Sequence, residues 1–140
     1  MDVAAIINSL NDAQREAVSA PPRSMLILAG AGSGKTRVLV HRIAWLIKVE
    51  HISPHNLLAV TFTNKAAKEM RTRVEDLLKI SARSMWIGTF HGLAHRLLRQ
   101  HNKEAKLPDT FQVIDSDDQL RLIKRLMKAM NIDDNRWPPK

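Results

Sequence analysis

Apolar and polar positions along the 140 residues change rhythm several times, and the changes predict the elements. Residues 11–18 have helical character, with Asn11 and Gln14 spaced as an N-cap and its capping-box partner, and Pro21-Pro22 ends the segment. Met25-Leu26-Ile27-Leu28-Ala29 is a short unbroken apolar run, the pattern of a strand buried on both faces. Gly30, Gly32 and Gly34 follow at once, and over residues 35–49 the apolar Val38, Leu39, Ile43, Leu46 and Ile47 recur at helical spacing. The rhythm then repeats. Residues 51–56 read as a loop containing Pro54, 57–60 as a second strand, 65–79 as a helix, 85–88 as a third strand and 91–101 as a third helix. Alternation of this kind predicts an α/β fold, a parallel sheet with helices packed on it. Beyond Pro108 the pattern changes: 111–114 is strand-like, Ser116 and Gln119 are spaced as a capping box, and 120–130 is an amphipathic helix. A domain boundary is expected somewhere over residues 89–108.

The glycines punctuate a segment that carries chemistry. Ala29-Gly30-Ala31-Gly32-Ser33-Gly34-Lys35-Thr36 matches the phosphate-loop pattern G-x-x-x-x-G-K-[ST] except at its first position, where the small Ala29 stands. The predicted setting, an apolar strand before and an amphipathic helix after, is the one such a loop requires. Glycines let successive backbone N–H groups turn inward on phosphate oxygens, and the positive end of the following helix adds to them. Lys35 has the length to reach the β- and γ-phosphates as a point charge, and the Thr36 hydroxyl can ligate Mg²⁺. The loop indicates nucleotide binding; kinases, transporters, GTPases and motors all use it.

Charge narrows the class. The formal net charge is +8, and residues 61–106 carry ten Lys/Arg against four Asp/Glu, most of the excess. A polyanionic partner would meet that stretch, although a solvated basic face would look the same. No cysteine is present, which excludes disulfides and thiolate metal sites. No apolar run approaches the roughly 20 residues that span a bilayer, and the acidic start carries no secretory signal, so a cytoplasmic protein with no membrane partner is expected.

Three segments then acquire meaning together. Residues 10–18 read LNDAQREAV before the phosphate loop, 59–71 read AVTFTNKAAKEMR after it, and 88–93 read GTFHGL. In that order they closely resemble the Q-motif, motif Ia and the next DNA-contact segment of superfamily 1 DNA helicases, with the phosphate loop as motif I. The resemblance runs along essentially the whole chain. It implies a RecA-like P-loop fold, with residues 1–89 the first part of motor domain 1A and 90–140 the start of a mainly helical inserted domain 1B. It implies ATP and Mg²⁺ as cofactors, single-stranded DNA and single/double-strand junctions as partners alongside DNA-repair proteins, and 3′ to 5′ translocation. Gln14 would read the adenine edge and Arg37 lie against the base. Residues 29–36 would hold the phosphates, with Lys35 and Thr36 the groups nearest the chemistry. Phe62 would stack on bases with Thr63 and Asn64 near the DNA backbone, and Thr89 and His91 would approach from the same side.

Plainer readings stand beside these. Asn11 and Gln14 can be only a helix start, and Phe62, directly after an apolar strand, can be core. A P-loop kinase or transport ATPase accounts for the loop but not for the basic Phe62 region; a non-catalytic nucleic-acid-binding module accounts for the reverse. His91 and His95 are spaced for one helical face but lack the neighbouring Glu and third ligand of a zinc site. Asp115 ends an apolar run as a Walker B acid would, yet Ser116 stands where a catalytic glutamate would follow, so Asp115 is read as a helix start. The resemblance places the Mg²⁺ acid, the water-orienting group and the second motor domain further along a longer protein, and implies that this stretch alone is inactive.

Overall fold

The computed structural model describes residues 3–133 and 135–139. It divides into two compact units, Met1–Leu98 and Arg99–Lys140.

The first unit is α/β. Two short helices, α1 (Ala4–Ile7) and α2 (Asp12–Ser19), precede the phosphate loop; α3 (Lys35–Lys48) follows it. Strand β1 (Leu58–Thr61), helix α4 (Asn64–Leu78), strand β2 (Trp86–Thr89) and helix α5 (Phe90–Gln100) come next, α5 running past the division at Leu98. Parallel strands need a crossover connection, and α4 supplies it: β1 and β2 pair in parallel with Leu58 opposite Trp86 and Thr61 opposite Thr89. Ala59 and Ile87 face each other in that register and are both buried, whereas Leu58 is exposed. They meet Met70, Val74 and Leu78, the buried stripe of α4. Val38, Val40, Ile43 and Ala44 of α3, Val18 of α2, and Ile6 and Leu10 complete the same core. A 3-10 turn at Pro54–Asn56 interrupts the expected loop.

Helices α2 and α4 begin on side-chain caps. Asn11 accepts from the Gln14 backbone N–H at 2.9 Å while its own N–H donates to the Gln14 amide oxygen at 3.2 Å, so the expected capping box is formed. The Thr63 hydroxyl accepts from Ala66 N–H at 3.1 Å at the start of α4.

Two expected strands are absent from the ladder. Residues 25–29 form no strand, and Leu26 and Leu28 are 81% and 85% exposed, the opposite of a strand buried on both faces. Apolar patterning shows that a segment would be buried if covered, but strand formation needs a neighbour's N–H and C=O groups. Among the described residues the sheet consists of β1 and β2 alone. Residues 111–114 fail in the same way, with Val113 and Ile114 exposed.

The second unit centres on helix α6 (Ser116–Ala129). Its cap is Asp115, which accepts from Asp118 N–H at 2.8 Å, in place of the expected Ser116–Gln119 pair. Asp117 and Asp118 in the first turn and Lys128 in the last complement the helix dipole. In the same unit Arg99 lies 4.4 Å over the Phe111 ring and donates to the Asp109 and Phe111 carbonyls. Among the described residues no helix is long and apolar enough to cross a membrane.

Candidate functional site

The phosphate loop is built from backbone geometry. Gly32 and Gly34 have φ of +76° and +87°, a region costly for residues bearing a Cβ, and Gly34 is the N-cap residue of α3. The turn is closed by the Ser33 hydroxyl, which donates to the Gly30 carbonyl at 2.7 Å. The Lys35 ammonium folds back over the loop and donates to the carbonyls of Ala29 at 2.8 Å and Gly30 at 2.6 Å. A side chain added at Gly30 would meet nothing within 4 Å, so the loop opens onto free space on that side. Ala31, Lys35 and Thr36 are exposed, Thr36 in the first turn of α3.

Gln14 belongs to this loop as well as to its helix cap. Its amide nitrogen donates to the Ser33 carbonyl at 3.0 Å, a contact across 19 residues. A Cβ at Gly34 would lie 2.8 Å from that nitrogen and 3.9 Å from the Arg37 Cβ, so Gln14 and Arg37 both approach Gly34. Arg37 also lines an open cleft of about 420 Å³ between α3 and α4, with Val40, His41, Arg73, Asp76 and Leu77. His41, buried in the wall of that cleft, has its Nδ1 within 2.5 Å of the Ile6 carbonyl oxygen.

The five candidate DNA residues cluster at the C-terminal ends of β1 and β2. Thr61 and Thr89 are register partners, and the chain passes from each directly to a phenylalanine, Phe62 and Phe90. Phe62 is 91% exposed, so it is not part of the core. Thr63 is occupied as the cap of α4, and Thr89 accepts from Gly92 N–H at 3.1 Å at the start of α5. Gly92 permits that approach, since a Cβ there would stand 3.2 Å from the Thr89 hydroxyl. Asn64 and Thr89 line one pocket of about 190 Å³ together with Arg71, Arg83 and Arg96. Two of these arginines are held by backbone carbonyls: Arg71 by Ile87, and Arg96 by Met85 and Ser84 while it lies 4.4 Å over the Trp86 ring. His91 is exposed on the first turn of α5.

The arrangement thus joins a phosphate-loop geometry to a basic, aromatic strand-end surface in one unit. The chain matches the family described as the UvrD/REP helicase N-terminal domain over residues 10–140. It belongs to that family. It is 65% identical over 140 residues to DNA helicase II of Escherichia coli strain K12 and 59% identical over 144 residues to DNA helicase II of Haemophilus influenzae. Each alignment covers all of this chain, and 19% and 20% of the respective relative. It is 45% identical over 135 residues to the ATP-dependent DNA helicase PcrA of Bacillus subtilis, covering 96% of this chain and 18% of that protein. The chain therefore spans about a fifth of the length of the curated relatives it matches.

Within this family domain, Phe90 escaped the sequence reading of individual sites. It is 69% exposed and occupies the same place after β2 as Phe62 does after β1. The signal was present in the repeated Thr-Phe step at Thr61-Phe62 and Thr89-Phe90. Asp115, the alternative acid, is committed to capping α6 in the second unit. Among the described residues no group of three or more His, Asp or Glu could hold a metal ion.

Proposed function

We propose that this chain is the N-terminal ATP- and single-stranded-DNA-binding portion of an ATP-dependent DNA helicase. The observation that carries the proposal is the phosphate loop: two left-handed glycines, a helix N-terminus behind them and the Lys35 ammonium already over the turn. The residues fit a nucleotide triphosphate with Mg²⁺. The open side at Gly30 leaves room for phosphate oxygens, and the exposed Thr36 hydroxyl would be the metal ligand from this chain. Bound Mg²⁺ would neutralise charge on the phosphates. Lys35 would exchange the Ala29 and Gly30 carbonyls for phosphate oxygens, a stronger charge-assisted pairing. Residues 29–36 would bind the phosphates, and Gln14 and Arg37, both close to Gly34, would meet the base.

Phe62 would stack on successive bases of a single strand, a sequence-tolerant contact, while Thr63, Asn64, Thr89 and His91 approach the sugar-phosphate backbone. Lys65 and Lys68, exposed on α4, would add attraction for phosphates. In this reading residues 1–89 belong to a RecA-like motor domain, the chain from residue 90 opens an inserted domain, and the whole protein moves 3′ to 5′ on DNA in the cytoplasm. DNA names in the relatives' descriptions support the substrate; the single-strand preference rests on Phe62.

The test uses the full-length protein. Single-stranded DNA is expected to stimulate its ATP hydrolysis, and Lys35→Ala to abolish turnover while leaving nucleotide-free DNA binding intact. Near-normal ATPase in Lys35→Ala would overturn the assignment of the loop.

A further inference from the structure

Helix α2 is fastened at both ends, and the second fastening has no part in the site described so far. At its N-terminal end Gln14 reaches the Ser33 carbonyl in the phosphate loop. At its C-terminal end the half-buried guanidinium of Arg42, projecting from α3, donates to three carbonyls: Val18 at 2.7 Å, Ala20, and Pro21 at 3.0 Å. The last carbonyls of a helix lack intrahelical partners and carry partial negative charge. Helix α2 has no basic residue in its own last turn, and Arg42 supplies that cation from the neighbouring helix. A planar guanidinium can serve several acceptors at once, which a lysine ammonium on a flexible stem does less well.

The geometry points to Arg42 as a positioning residue for the nucleotide site, acting through Gln14. It stands seven residues after Lys35, about 10 Å along the axis of α3. Helices α2 and α3 are therefore tied together twice, once at the loop and once about two turns behind it. Removing the rear tie frees the C-terminal end of α2, where Val18 is fully buried, to shift, and the short helix carries that shift to Gln14 near its other end. The same clamp holds Ala20 and Pro21, which open the stretch leading to the phosphate loop. Fold stability does not depend on the clamp alone, because Val18, Leu10 and Ile43 still pack in the core without it.

This inference rests on the ATP-binding reading of the loop and is tested in the full-length protein by steady-state ATPase kinetics with saturating single-stranded DNA. Arg42→Ala is expected to raise KM for ATP by up to about tenfold, the scale of one lost neutral hydrogen bond from Gln14, with kcat within about twofold. Arg42→Lys should recover part of the loss. The deciding measurement is the cycle with Gln14→Ala: in that background Arg42→Ala should add less than about twofold, because the group it positions is gone. An equal factor in both backgrounds, or an unchanged KM in Arg42→Ala, overturns the proposal. Should Arg42→Ala fail to fold, Arg42→Lys carries the same cycle with the same two outcomes. Lys35→Ala separates the two readings: its loss of turnover beside a normal Arg42→Ala refutes only the role of Arg42, whereas retained turnover in Lys35→Ala refutes the loop itself.

Discussion

Gly30 and Gly34 stand four residues apart in one loop, yet alanine should act oppositely at the two. Gly34 has φ of +87°, and a Cβ there would lie 2.8 Å from the Gln14 amide nitrogen. Holding a residue with a Cβ in the left-handed region costs roughly 1–2 kcal/mol. Displacing Gln14 removes its hydrogen bond to Ser33, about 0.5–1.5 kcal/mol more. Gly34→Ala is therefore expected to destabilise the chain by about 2–3 kcal/mol, lowering the melting temperature by roughly 6–12 °C. Gly30 lacks a positive φ, and its added methyl would enter open space. Gly30→Ala should leave stability unchanged or raise it by up to about 1 kcal/mol, because alanine restricts the unfolded chain. The methyl would nevertheless fill the side on which phosphate oxygens are placed, so nucleotide affinity should fall in both variants. Thermal melts by circular dichroism and anisotropy titration with a fluorescent ATP analogue read the two effects separately. Equal destabilisation in both variants would refute the described loop geometry. A stable Gly30→Ala protein with undiminished affinity would refute the placement of the phosphates.

Phe62→Ala should weaken single-stranded DNA binding by roughly 1–3 kcal/mol in a fluorescence titration, with the melting temperature nearly unchanged because the ring is 91% exposed. That binding should also fall steeply with added salt, and a salt-independent affinity would count against phosphate contacts. Asp115→Ala should cost about 1 kcal/mol through loss of the α6 cap, read by melting, with ATP affinity intact; a selective loss of nucleotide binding would restore Asp115 as a metal-holding acid. The 140-residue chain by itself should bind nucleotide weakly and hydrolyse none. Measurable DNA-stimulated hydrolysis by this chain would show that it already contains the acid and the water-orienting group assigned elsewhere.

Features decided by neighbouring residues were legible in the sequence. The helices, the Asn11–Gln14 capping box and the crossover between β1 and β2 follow from periodicity and cap chemistry that act over a few residues. The 25–29 segment was misread because its apolar run reports a demand for burial, whereas strand pairing depends on another stretch of chain lying alongside. The cap of α6 is as local as that of α2, but Asp115 and Ser116 are both competent there, and the structure uses the first. At the candidate site, Lys35 and the glycines announce themselves by spacing. The exposure of Phe62 could not be read, since an aromatic after a strand suits core and surface equally. The approach of Gln14 to Ser33 and the grip of Arg42 on three carbonyls join residues about 20 positions apart with no shared motif.

The unpaired stretch 25–29 alters the thermodynamics of anything that binds at the loop. A phosphate loop entered from a paired strand has its approach ordered in advance. Here the approach is free of ladder hydrogen bonds, and the loop is braced through Gln14, Lys35 and α3. Fixing a backbone residue costs roughly 1–2 kcal/mol, so even partial ordering of this stretch on binding draws on the interaction free energy. Any partner strand that paired with residues 25–29 would meet that cost beforehand. It would then raise nucleotide affinity without touching the nucleotide, an entropic coupling transmitted by order alone.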